Sequence, residues 1–99
     1  MKTEAYPLRI PNNLVLLAEA ISRERYVDKS TALRQMMYEG AETYVLEAIN
    51  NGRFSVSKGA EILNKSMYEI YRLAKRKNIE IGATLEQYEK GKESAKKIL

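Results

Sequence analysis

The sequence predicts a mainly α fold in which one short N-terminal strand precedes a succession of amphipathic helices. Three observations carry that expectation. Residues 29–50 place Leu33, Met36, Met37, Gly40, Ala41, Tyr44, Val45, Ala48 and Ile49 at unbroken helical spacing, which marks one buried face on a helix. Residues 5–11 alternate instead, with Tyr6, Leu8 and Ile10 set against Ala5, Pro7 and Arg9, the period of a half-buried strand. Residues 56–77 hold two shorter helical runs separated by Asn64-Lys65-Ser66, a spacing that suits a pair of helices joined by a tight turn.

Each element has its own warrant. Pro7 confines the strand to a sheet edge, and Pro11 ends it. No second strand lies near enough to form a hairpin, so the simplest partner is a second copy of the chain. Asn12 to Tyr26 follows as a helix of about four turns, with Leu14, Leu17, Ala18 and Ile21 on one face. Tyr26-Val27-Asp28 is short enough to fold the next helix back on it. Asp28 suits the N-cap of that helix, and Asn51-Gly52 suits a left-handed stop. Twenty-two residues between them make a rod roughly 33 Å long. Ser55 or Ser57 can cap a helix from Val56 to Leu63, and Ser66 opens another from Met67 to Lys77. The second buries Met67, Ile70, Tyr71 and Ala74 and turns Tyr68, Arg72, Lys75 and Arg76 outward, with Lys65 in the turn before it. Ile79-Glu80-Ile81 alternates as a short strand or extended turn. Thr84-Leu85-Glu86-Gln87 spells a capping box, so a C-terminal helix is expected from there. Three regions result: residues 1–50, residues 51–82 and a tail of residues 83–99.

Composition narrows function. The 99 residues are 44% hydrophobic and 30% charged, enough for a small core that oligomerisation would complete. Cysteine and histidine are both absent, which removes disulfides, thiolate metal sites and the commonest general base. The single aspartate is assigned to a cap, the glutamates form no convergent cluster, and the five glycines are scattered rather than gathered in a phosphate loop. An enzyme is therefore not expected, nor a cofactor. No apolar run approaches a membrane span and no segment reads as a signal peptide, so a cytoplasmic location is expected. The net charge is +4, yet residues 1–54 are balanced at seven basic and seven acidic side chains. The excess lies in residues 55–99, with ten basic and six acidic, which favours a polyanionic partner.

The order strand, helix, short turn, helix resembles the ribbon-helix-helix DNA-binding fold of Arc/MetJ-like repressors. Leu8-Arg9-Ile10-Pro11 before the first helix and Asp28-Lys29-Ser30-Thr31-Ala32-Leu33-Arg34 at the start of the second carry the likeness. The resemblance implies a homodimer whose strands pair as an intermolecular two-stranded antiparallel ribbon lying in the major groove. Ala5, Pro7 and Arg9 would then face the bases, with Lys2 and Thr3 extending that surface. Among Ala5, Pro7 and Arg9 only Arg9 can grip guanine with two hydrogen bonds, a departure from the family's usual run of polar side chains. Lys29 and Ser30 would hold a phosphate at the helix start.

From Asn51 the string Asn-Gly-Arg-Phe-Ser-Val-Ser-Lys-Gly-Ala-Glu-Ile-Leu-Asn-Lys-Ser, with Tyr68 and Tyr71 beyond it, resembles small prokaryotic antitoxins of the VapB type. That likeness implies binding to a palindromic double-stranded operator and neutralisation of a PIN-domain nuclease toxin. The helix-turn-helix-like pair at 51–82 adds Lys65, Tyr68 and Arg72 as DNA contacts. For the toxin the candidates are Arg76, Tyr88, Lys92, Lys96 and Lys97, since basic side chains suit the acidic metal pocket of such nucleases. The alternative is a protein-interaction adaptor that uses its N-terminal half only to dimerise, a reading favoured by the neutrality of residues 1–54.

Overall fold

A computed structural model describes residues 3–82 of the chain. The elements are α1 (Asn12–Arg25), α2 (Lys29–Asn50), α3 (Val56–Leu63) and α4 (Met67–Lys77). Among the described residues there is no strand. The expected N-terminal strand is therefore corrected: residues 3–11 form no regular element, and Tyr6 and Leu8 are 80% and 63% exposed. A strand is held by the ladder it shares with a neighbour. Among the described residues, whose regular elements are all helices, this segment meets no second edge. Pro7 and Pro11 also remove two of its N–H donors. Ala5, Pro7 and Arg9 consequently share no strand face, and the ribbon that would have presented them to DNA is not part of this fold. Ile79-Glu80-Ile81 is likewise no strand; Ile81 is buried in the core and Ile79 half-buried against it.

The helix boundaries follow from local chemistry. Asp28 caps α2, its Oδ1 accepting the Thr31 N–H at 2.7 Å. Ser55 rather than Ser57 caps α3, accepting from the Lys58 N–H at 3.0 Å. Helix α4 opens with a full capping box: Ser66 Oγ accepts the Glu69 N–H at 3.1 Å, and Glu69 Oε2 accepts the Ser66 N–H at 3.0 Å. Four left-handed residues end the four helices, Tyr26, Gly52, Asn64 and Asn78. After each, the next N–H returns to a carbonyl five residues back: Val27 to Ser22, Arg53 to Ala48, Lys65 to Ala60 and Ile79 to Ala74. This is the Schellman closure, which satisfies carbonyls that would otherwise lack donors. Glycine and asparagine suit the position; Tyr26, at φ 56° and 96% exposed, does not.

The chain divides into two compact units, Met1–Tyr38 and Glu39–Leu99, a division that falls within α2. Among the described residues of the first unit, only Ala18 and Ala32 are buried hydrophobics. Leu33 and Met36 are half-buried, while Leu14, Leu16, Leu17, Met37 and Tyr38 remain exposed. Surface links supplement this thin core: the Lys29 ammonium lies 3.0 Å from the Glu19 carboxylate and Arg25 donates to Gln35 at 2.7 Å. Exposed pairs of that kind contribute about 0–1 kcal/mol each.

The second unit has a real core. Val45, Leu46 and Ile49 of α2 meet Ala60 and Leu63 of α3 and Ile70, Tyr71, Leu73 and Ala74 of α4, with Ile81 closing the cluster. Leu46 and Ile70 are wholly sequestered. Gly59 sets how near α2 and α3 come: a Cβ there would stand 2.7 Å from Ile49 Cδ1 and 3.0 Å from Val45 Cγ1. The long apolar stripe of α2 is thus used selectively. Its Val45, Ala48 and Ile49 are buried, together with Leu46, which the stripe omitted, whereas Met37, Gly40, Ala41 and Tyr44 stay exposed.

Candidate nucleic-acid interface

Helices α3 and α4 pack against each other across the three-residue turn Asn64-Lys65-Ser66, a connection as short as that of a helix-turn-helix. Its outer helix carries four basic residues, Arg72, Lys75, Arg76 and Lys77, against one acidic residue, Glu69. The capping box directs that acid to the Ser66 backbone N–H at the helix start, so its negative charge serves the positive end of the helix dipole. Arg72 and Arg76 are exposed one turn apart. The Arg72 guanidinium lies 5.9 Å from the centre of the Tyr68 ring, one turn before it, a separation at which cation and ring attract. Tyr68 and Arg72 therefore present themselves as a linked aromatic–cationic pair. Lys65 is half-buried in the turn.

The last basic residue of α4 has a structural task as well. Lys77 Nζ donates to Thr43 Oγ1 of α2 at 3.2 Å, and that hydroxyl donates in turn to the Glu39 carbonyl at 3.1 Å. A cation in the last turn also complements the carbonyl end of the helix. Lys77 thus ties α4 to α2 within the second unit.

At the start of α2, where a phosphate is expected on the Lys29 and Ser30 backbone N–H groups, two neighbouring groups are already engaged. Lys29 is paired with Glu19, and Asp28 occupies the Thr31 N–H that an anion would use. The hydrogen bonds from Thr31, side chain first and backbone N–H second, hold the Asp28 carboxyl below its ordinary value of 3.8, with a lesser pull from Arg34. An ionised carboxylate at that place repels a second anion. Ser30 is exposed beside it. Thr3 and Arg9 are exposed in the irregular N-terminal segment. Lys2, Tyr88, Lys92, Lys96 and Lys97, with the expected C-terminal helix, lie outside the described residues. Lys65, Tyr68, Arg72 and Arg76 are accordingly the sequence-derived candidates that the fold brings together on one helix and the turn before it.

The sequence reading passed over Glu69 and Arg53. The first was legible as Ser66-Met67-Tyr68-Glu69, the spacing of a capping box. The second had no periodic signal, because its partners come from α2 and from the turn after it.

No protein-family model matches the chain, nor does any curated protein or solved structure. No helix among the described residues is long and apolar enough to cross a membrane.

Proposed function

We propose that the chain is a homodimeric, sequence-specific DNA-binding regulator that reads duplex DNA through α4, and that it serves as the autorepressing antitoxin of a pair whose toxin is a PIN-domain nuclease. The observation that carries the reading is the outer face of α4. Tyr68, Arg72 and Arg76 lie there in successive turns, with the helix's one acid drawn back into its cap. Arginine reaches guanine through a two-pronged hydrogen bond, and a neighbouring cation neutralises backbone phosphate. The homodimer rests on the first unit, whose apolar side chains far outnumber what its two buried alanines cover. A second copy would complete that core and set two α4 helices on a palindrome. Toxin masking rests on the VapB-type string at 51–66 and on the lysines of the tail, Lys92, Lys96 and Lys97.

Selection from a random duplex library tests the DNA reading. The expected product is a palindrome with half-sites about one helical turn apart. Arg72→Ala should then lose about 1–3 kcal/mol of discrimination at one base position. No enrichment, with binding that disappears at moderate salt, would instead favour the protein-interaction adaptor. Co-expression with a nuclease encoded beside the chain tests the antitoxin assignment: the full chain should abolish its activity, and a chain ending at residue 82 should not.

A further inference from the structure

Arg53 sits between α2 and α3, on no periodic face, yet its side chain is held from two directions. Its Nε donates to Asn51 Oδ1 at 3.1 Å, and its Nη1 donates to Tyr44 Oη at 3.3 Å. The guanidinium carbon lies 5.3 Å from the centre of the Tyr44 ring, within cation–π range. Asn51 is itself fixed by accepting the Arg53 backbone N–H at 3.4 Å. These partners are all neutral. Among the described residues no carboxylate pairs with this guanidinium, in contrast to Lys29 and Lys58, which face Glu19 and Glu61.

Such an arrangement has a chemical consequence. Arginine has five N–H donors in a planar fork, and here Nε and Nη1 are engaged while no hydrogen bond among the described residues takes up Nη2. A long side chain ordinarily loses rotamer freedom when it grips a ligand. Arg53 has given up part of that freedom already, and no carboxylate among the described residues offsets its charge. The position also matters. Lys77 Nζ reaches Thr43 and the Arg53 guanidinium reaches Tyr44, the next residue of α2. Arg53 itself lies on the loop that leads into α3, the helix that crosses the DNA backbone in helix-turn-helix docking.

We propose that Arg53 is a phosphate-binding residue of this DNA interface, pre-set by Tyr44 and Asn51. The proposal rests on the DNA-binding reading above and assigns to that interface a backbone contact separate from base reading by α4. Its signature differs from that of Arg72. A phosphate contact contributes equally on every sequence, and its loss lowers the slope of log affinity against log salt by about 0.9 for each protomer bound.

The test measures duplex affinity by fluorescence anisotropy over a salt series, on the selected palindrome and on a random duplex. Arg53→Gln should bind both duplexes several-fold more weakly, with the shallower slope and unchanged discrimination. Arg53→Lys should restore the slope, since it keeps the charge. Tyr44→Leu should weaken binding to both duplexes while keeping the slope, because the charge stays but its platform is gone. A wild-type slope in Arg53→Gln, with Arg72→Ala still losing discrimination, overturns the assignment of Arg53 and leaves the DNA reading standing. A lowered thermal midpoint with that unchanged slope would make Arg53 merely a brace for the end of α2. Failure of the wild-type chain to bind either duplex overturns both readings together.

Discussion

The second unit is built on the close approach of α2 and α3 at Gly59, and replacing that glycine with alanine sets two effects of opposite sign against each other. Within a helix, alanine is favoured over glycine by about 0.8–1.0 kcal/mol. Against this, the new methyl would lie 2.7 Å from Ile49 Cδ1 and 3.0 Å from Val45 Cγ1, well inside the roughly 3.5–4.0 Å at which carbons rest. Ile49 Cδ1 is the end of a flexible chain and can turn away, at about 0.5–1.5 kcal/mol for a distorted rotamer. Val45 cannot respond in that way, because branching at Cβ holds it to one rotamer in a helix. The remaining adjustment is a shift of α2 away from α3, and overpacking of this kind costs about 1–3 kcal/mol. Packing should win. Gly59→Ala is expected to lose about 1 kcal/mol net, lowering the urea midpoint by roughly 0.5–1 M for a chain of this size. Ile49→Val removes the nearer obstacle, so the double variant should be more stable than the two single losses add to, by about 0.5–1 kcal/mol. Urea unfolding followed by circular dichroism measures all four proteins. A raised midpoint in Gly59→Ala, or strict additivity with Ile49→Val, would refute the described helix approach.

Three further outcomes are expected. Ser66→Ala should destabilise the chain by about 1 kcal/mol, because the Glu69 N–H loses its acceptor and the reciprocal bond loses its frame; a thermal midpoint equal to wild type would show the box to be dispensable. Tyr26→Gly should stabilise by roughly 0.5–1 kcal/mol, since an exposed aromatic gains nothing in the left-handed region that glycine enters freely; Tyr26→Ala serves as the control and should show no such gain. Asp28 sets the pH dependence. Its folded value lies below the ordinary 3.8, so its contribution is complete above that pH and fades as pH falls below it. The stability advantage of wild type over Asp28→Asn at neutral pH should shrink in that acid window; an advantage that stays flat with pH would exclude an ionised cap.

Much of this architecture was legible in residues near one another in the chain. The bounds of α2, α3 and α4 followed from caps and breakers a few positions away: Asp28, Ser66 and Gly52 act on N–H and carbonyl groups within one turn. The outward set Tyr68, Arg72 and Arg76 needed only the helical period. The N-terminal segment went the other way. Its alternation of Tyr6, Leu8 and Ile10 is a true pattern, but alternation states which face a strand would bury and cannot supply the edge that makes it a strand. The pairing of the Lys29 ammonium with Glu19, ten residues earlier, likewise has no local pattern to record it.

The amino-acid order by itself determined four helical runs, the stop of the second at Asn51-Gly52 and the cationic side of the last one, because those depend on spacing and on hydrogen bonds that close within a few residues. Only the tertiary structure decided which part of the α2 stripe is covered, that Gly59 is where two helices touch, and that Tyr44 and Asn51 steady Arg53. Those facts depend on groups brought together by packing, and no local period records them.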